Sequence, residues 1–342
     1  MSQKEQAVAY SGLKVVVTGA DGFIGSHVTE MLVRQGADVT ALACYSSFDT
    51  QGWLDDLPLD VLAALRIMRG DVRDAAFVRR LVQGQDIVFH LAALIAIPYS
   101  YAAPQSYVET NILGTLNVLE AVRGTTVRRM VQTSTSEVYG SAITVPITED
   151  HPLQGQSPYS ASKIGADMMT EAYARSFELP ATILRPFNTF GPRQSERAVI
   201  PTVVRQLLDP ACTAIRIGDI STTRDFTFVA DTAAAFLAIG AAPGVKPGTA
   251  YNAGTGTAIS VGDLISLAAE IAGCSKPVEE DSGRMRPANS EVRALLADSR
   301  RLTEATGWRP NTTLRDGLSE TITWWRNRLA GGRVRSASSF MT

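Results

Sequence analysis

Tyr159 and Lys163 stand four residues apart, the spacing that puts two side chains on one face of a helix. An ammonium beside a phenol lowers the phenol's pKa and makes it a usable base, which is the chemistry of alcohol oxidation. Upstream, Thr135-Ser136-Glu137 follows the run Met130-Val131-Gln132-Thr133-Ser134. Thr135 is therefore expected at the carboxyl edge of a parallel strand, where α/β sheets bind ligands, with its hydroxyl placed to hold a reacting oxygen near Tyr159. Glu137 adds a second proton-transfer group, and simple alcohol oxidation has no use for one. Plainer readings stand beside these: Thr135 and Ser136 as turn formers, Tyr159 and Lys163 as a surface pair, Glu137 as a cap on the following turn.

These residues need a frame that brings them together. Short β-branched or apolar runs at residues 15–17, 39–42, 65–68, 87–89, 130–131 and 182–184 alternate with longer helix-compatible stretches. That alternation predicts an α/β fold, a Rossmann-type doubly wound parallel sheet covered on both faces. The first run enters Gly19-Ala20-Asp21-Gly22-Phe23-Ile24-Gly25, where a helix should begin. Glycines at such a turn let the backbone approach a pyrophosphate at the positive end of the helix.

Beyond Phe190, frequent prolines break the chain into shorter pieces, as expected of a smaller, discontinuous lobe. Thr227-Phe228-Val229 and the segment 231–236 read as a return to the main sheet and one of its helices. The expected division is a dinucleotide-binding domain over 1–190, joined by 225–255, and a lobe over 191–342, mainly 191–224 and 256–329. The tail from Ala330 is low in apolar content and is expected to be mobile.

The 342 residues, 45% hydrophobic and 19% charged, suit a soluble globular protein. A net charge of −2 argues against nonspecific nucleic-acid binding, which needs a basic surface. Cys44, Cys212 and Cys274 are odd in number and widely spaced, so no disulfide framework or metal pair is expected, and a reducing cytoplasm fits. The histidines His27, His90 and His151 form no ligand pair either. Residues 1–11 are polar and lack a secretory pattern, and the longest apolar stretch is interrupted by His90, Pro98 and neighbouring polar groups. Neither a targeting signal nor a membrane span is expected.

With these motifs in place, the chain resembles the extended short-chain dehydrogenase/reductases, from Lys14 to about Arg326. Within that family it looks most like the UDP-N-acetylglucosamine 4,6-dehydratases, on the strings 91–101, 154–158 and 286–325. The resemblance implies that Glu137 removes the proton from sugar carbon 5, and that Glu137, with Ser136 as a relay, returns one to the departing carbon-6 hydroxyl. It implies that Asp71-Val72 flank the adenine and that Leu91, Ala92 and Ala93 run under the dinucleotide. It also implies nucleotide-sugar contacts from Asn188, Val199, Arg224, Arg286 and Glu291 in the later lobe. A guanidinium fork suits phosphate oxygens in any case.

The second strand ends in Ala43-Cys44-Tyr45 and lacks the acid that usually binds the ribose of NAD. Ser46 and Ser47 could bond either ribose, so NAD is favoured with NADP left open. The Thr-Ser-Glu string also resembles UDP-glucuronate decarboxylases, and 4-epimerases share oxidation at carbon 4. A noncatalytic dinucleotide-binding regulator need not keep Thr135, Glu137, Tyr159 and Lys163. Apolar residues at helical spacing over 105–122, among them Val108, Ile112, Leu116 and Leu119, and the helix expected over 157–177 match the elements that pair relatives into homodimers.

Overall fold

The computed structural model describes residues 9–281, 292 and 294–332. Arg286 and Glu291, expected to touch substrate, and the tail beyond residue 332 lie outside the described residues.

The β-branched runs become strands β1 (Lys14–Thr18), β2 (Asp38–Cys44), β3 (Arg66–Gly70), β4 (Ile87–His90), β5 (Arg129–Thr133) and β6 (Ala181–Pro186). Hydrogen bonding orders them β6-β5-β4-β1-β2-β3, all parallel. The first crossover helix, α1 (Phe23–Arg34), lies on one face of the sheet. Helices α2 (Ala75–Val82), α3 (Gly114–Arg123) and α4 (Pro158–Phe177) cover the other, where Val78, Leu81, Val118 and Leu119 pack on Val16, Val88 and Met130. Strands buried on both faces must be apolar throughout, and Val15, Val16, Val17, Val88 and Phe89 are wholly inaccessible.

After β6 the chain forms β7 (Thr189–Phe190), α5 (Val199–Leu208), β8 (Ile215–Ile217), β9 (Thr223–Asp225) and β10 (Thr227–Phe228). Here the structure corrects the sequence reading. Thr227 and Phe228 pair with β7 in a two-stranded ribbon, and Val229 already opens helix α6 (Val229–Ala241). That helix packs on α1 beneath the main sheet. The return to the sheet comes later, as β11 (Ala250–Ala253) pairing with β6 to give a seventh parallel strand.

The lobe then continues through β12 (Ala258–Ser260), α7 (Val261–Ala272), β13 (Val278–Glu280), β14 (Ala294–Leu295), α8 (Arg300–Thr306) and α9 (Leu314–Ala330). β9 lies between β12 and β14, while β13 pairs with β8. Helices α5, α7 and α9 close over a core that includes Phe190, Phe228, Leu264, Leu318 and Trp325. Asp225 binds this region together: its carboxylate accepts from the backbone N–H of Thr255, Gly256 and Ala297 at 2.9, 2.9 and 3.2 Å.

Candidate active site

The carboxyl ends of β1, β2, β4, β5 and β6 open into one cavity of about 730 Å³. At its β1 end, Gly19 turns with φ +68° and α1 begins at Phe23, with its N-terminus facing the cavity. A Cβ on Gly19 would stand 2.7 Å from the backbone N of Ala92, and one on Gly25 would stand 2.0 Å from the Gly19 carbonyl. No side chain fits in either place, so the glycine turn can lie against the 91–93 strand exit only as it does. Bare backbone and a helix N-terminus at the mouth of a parallel sheet suit a dinucleotide pyrophosphate. Gly19, Asp21, Gly22, Phe23, Ile24, Gly25, Asp71, Val72, Leu91, Ala92 and Ala93 all line this part of the cavity.

Two anchors shape its far end. The Asp21 carboxylate accepts the Cys44 N–H at 3.0 Å, and Arg73 grips Asp71 with Nε and Nη2 at 2.9 and 2.6 Å to the same oxygen. That fork holds the Asp71 carboxyl below the usual range. Cys44 and Arg73 line the cavity, and Ser46 does not. The Ser46 hydroxyl instead accepts the Phe48 N–H at 3.2 Å.

On the opposite wall, α4 starts from a reciprocal cap. Ser157 Oγ accepts the Ser160 N–H at 3.1 Å, Ser160 Oγ accepts the Ser157 N–H at 3.0 Å, and Pro158 takes the first helical position. That cap places Tyr159 in the first turn and Lys163 one turn on, both buried and both facing the cavity. They are no surface pair. Burial pushes the Tyr159 phenol above its ordinary pKa, with the Thr135 hydroxyl pulling the other way and Glu137 adding to the rise. Burial also pushes the Lys163 ammonium down to about 8. The ammonium donates to the Thr133 carbonyl at 2.5 Å, so the expected depression of the phenol by Lys163 gives way to desolvation.

Past β5 the chain turns through a 3₁₀ segment, Ser136–Tyr139, capped by Thr135, whose Oγ1 accepts the Glu137 N–H at 3.2 Å. Thr135, Ser136 and Glu137 line the same cavity as Tyr159 and Lys163. Asn188 joins them from the exit of β6, its amide donating to the Asp225 carbonyl at 3.4 Å. Val199 and Arg224 do not line the cavity. Val199 packs into the lobe core from the start of α5, and Arg224 is buried on β9, with Nη1 donating to the Thr223 carbonyl at 3.0 Å.

The sequence reading passed over Asn111. It sits in a π turn over Val108–Leu113, a form that recurs at functional sites. Its amide accepts the Leu94 N–H at 2.9 Å and donates to the Leu94 carbonyl at 3.0 Å and to Ser162 Oγ at 2.9 Å. Asn111 thus pins the cavity wall to the helix of Tyr159. Among the described residues, no cluster of three or more His, Cys, Asp or Glu side chains could hold a metal ion.

A family model described as GDP-mannose 4,6 dehydratase matches residues 16–321. The chain belongs to the extended short-chain dehydrogenase/reductase family. Among its relatives, UDP-glucose 4-epimerase of Mycolicibacterium smegmatis is 32% identical over 321 residues, covering 92% of this chain and 99% of that one. An epimerase structure from Methanothermobacter thermautotrophicus superposes with a TM-score of 0.87 at 29% identity, covering 96% of both chains. A dTDP-glucose 4,6-dehydratase from Streptomyces venezuelae, solved with NAD bound, gives a TM-score of 0.82 at 30% identity, covering 93% of this chain and 98% of that one. The chain is thus a member of the family's nucleotide-sugar epimerase and dehydratase branch, and no helix among its described residues is long and apolar enough to cross a membrane.

Proposed function

We propose that this chain is an NAD-dependent nucleotide-sugar 4,6-dehydratase acting on UDP-N-acetylglucosamine. The observation that carries the reading is Glu137, a carboxylate that lines the same cavity as Thr135 and Lys163 and faces Tyr159. Bound NAD would supply reversible oxidation of the sugar and be unchanged over a full cycle. Thr135 holds the carbon-4 oxygen, and Tyr159, with Lys163 behind it, takes the hydroxyl proton as carbon 4 becomes a ketone. The ketone acidifies the hydrogen on carbon 5, and Glu137 removes it as a proton. The same carboxyl returns a proton to the carbon-6 hydroxyl, through Ser136, as that group leaves as water. Tyr159 holds the carbon-4 oxygen as a ketone while the hydride that NAD would store returns to carbon 6. A solvent-exchanged proton on Glu137 adds at carbon 5, and Tyr159 releases its proton to solvent, so both residues end as they began. The product is a 4-keto-6-deoxy sugar, which is the substrate less one water.

The similarity to epimerases supports a second reading, in which the 4-ketone is reduced again from its other face and Glu137 has no proton to move. Incubation with UDP-N-acetylglucosamine in deuterated water separates the two. A dehydratase gives product lighter by one water and carrying deuterium at carbon 5. Product of unchanged mass, with the sugar inverted at carbon 4, would replace this reading with the epimerase, and carbon dioxide release from UDP-glucuronate would replace it with a decarboxylase.

A further inference from the structure

Behind the Tyr159 and Lys163 pair lies an ion pair that the proposed chemistry does not use. Asp167 follows Lys163 by four residues on α4, so Tyr159, Lys163 and Asp167 share one helix face. Its side chain is wholly inaccessible, as is nearly all of Arg185 on β6. Asp167 Oδ2 accepts from Arg185 Nε at 3.1 Å, from Arg185 Nη2 at 3.0 Å and from Ser134 Oγ at 2.8 Å. Its other oxygen, Oδ1, is buried with no hydrogen-bond partner among the described residues. Arg185 Nη1 donates to the Tyr139 hydroxyl at 2.9 Å, which donates onward to Asn252 Oδ1 at 2.7 Å.

Two consequences follow from this placement. Ser134 directly precedes Thr135 and Tyr139 closes the 3₁₀ turn, so one buried pair grips both ends of the segment bearing Thr135, Ser136 and Glu137. Lys163, for its part, is a buried cation whose direct contact is a neutral carbonyl. The groups facing it are Tyr159 and Asp167 on α4, His90 on β4, and the Thr133 carbonyl on β5. His90 stays neutral at any working pH, being pushed down to about 3. Asp167 is the carboxylate whose charge acts on Lys163, whereas the charge of Glu137 acts on Tyr159.

Resting on the reading of Tyr159 and Lys163 as the proton-transfer pair, we propose that Asp167 is its positioning residue. Its carboxylate is the counter-charge that keeps Lys163 an ammonium, and it joins the helix of Tyr159 to the turn of Glu137. The same charge raises the pKa of both Lys163 and Tyr159, so removing it lowers both.

The test is the pH dependence of turnover, read as conversion of the nucleotide sugar to product. In Asp167→Asn, both limbs of the kcat/KM profile are expected to move toward acid by roughly half a pH unit or more. In Ser134→Ala, which keeps the charge and loosens the turn, kcat is expected to fall several-fold with the limbs in place. An unpaired Arg185 is costly to bury. If Asp167→Asn does not fold, Asp167→Asn combined with Arg185→Met removes that penalty and is expected to show the same acid shift, because Asp167 is the charge acting on Lys163. A folded variant of either kind that binds NAD and keeps the wild-type limbs would overturn the proposal and leave Asp167 a folding element. Tyr159→Phe with wild-type turnover would instead overturn the reading of Tyr159 and Lys163.

Discussion

Thr135 Oγ1 accepts the Glu137 N–H at 3.2 Å. The hydroxyl proposed to hold the sugar oxygen therefore also orients the backbone that presents the base, and the two functions cannot drift apart. Glu137→Gln keeps the turn and its cap but removes the base, which acts only after carbon 4 is oxidised. On adding substrate, reduced nicotinamide absorbance should appear and persist, while turnover falls by two orders of magnitude or more. Turnover within a few-fold of wild type would remove Glu137 from the mechanism.

Tyr159→Phe leaves the ring in contact with Tyr107, its edge-on neighbour at 6.3 Å between centroids, and deletes the proton acceptor. The initial absorbance change should slow by about 10²-fold to 10⁴-fold, with NAD affinity preserved. Fluorescence titration measures the affinity and stopped-flow absorbance the rate. A wild-type rate would dismiss Tyr159 as the base.

His90 titrates against folding. It lies buried between Thr18 Oγ1 at 2.7 Å and Thr115 Oγ1 at 3.2 Å. Burial and the Lys163 charge push it from 6.5 down to about 3. The unfolded chain thus takes up a proton near pH 6.5 that the fold refuses until about pH 3, so the stability present above 6.5 is lost as pH falls through that window. The slope is up to about 1.4 kcal/mol per pH unit. His90→Gln should flatten the pH dependence of urea midpoints between pH 6.5 and 4. His27, pushed to about 3 by burial and by Arg193, leaves a residual slope in the variant. Superimposable slopes for variant and wild type would show that His90 does not contribute.

The apolar stripe proposed for association is divided in the structure. Leu119 is buried against the main sheet, whereas Val108 and Leu113 are about half exposed, as are Met168 and Phe177 on α4. Val108, Leu113 and Met168 offer exposed apolar contacts on adjoining elements to a second copy, while Phe177, on the opposite side of α4 from Met168, packs with Tyr173 and Arg123. A dimer mass by light scattering at micromolar concentration is expected, and Val108→Asp should shift it toward monomer. A monomeric wild type would end this reading.

The six strands legible in the sequence were those with β-branched or continuous apolar runs, because such runs are what burial on both faces requires. β11 was not legible: Ala250-Tyr251-Asn252-Ala253 has no branched residue, and it is a strand because β6 and α8 enclose it. Thr227 and Phe228 misled in the opposite way, since two residues show no period and their partner, β7, is equally short. Around the site, local strings led to the glycine turn, to 135–137 and to Tyr159 with Lys163, all of which face one cavity. Arg73, Asn111 and the Asp167 and Arg185 pair were hidden, because each matters through a contact with another strand, helix or loop rather than through its neighbours in sequence. Ser46 was chosen by its place at the end of β2, yet the chain there turns its hydroxyl toward Phe48.

The lobe strand that carries Arg224 draws its partners from distant stretches of chain. β9 needs β12 on one side and β14, which ends at Leu295, on the other, while the last strand of the main sheet ends at Ala253. During synthesis, then, all seven strands of the sheet that cradles the glycine turn have emerged from the ribosome while β9 still lacks both neighbours. The main sheet, with the cavity residues it carries, can form first, and the sheet around β9 is completed only once Leu295 has emerged.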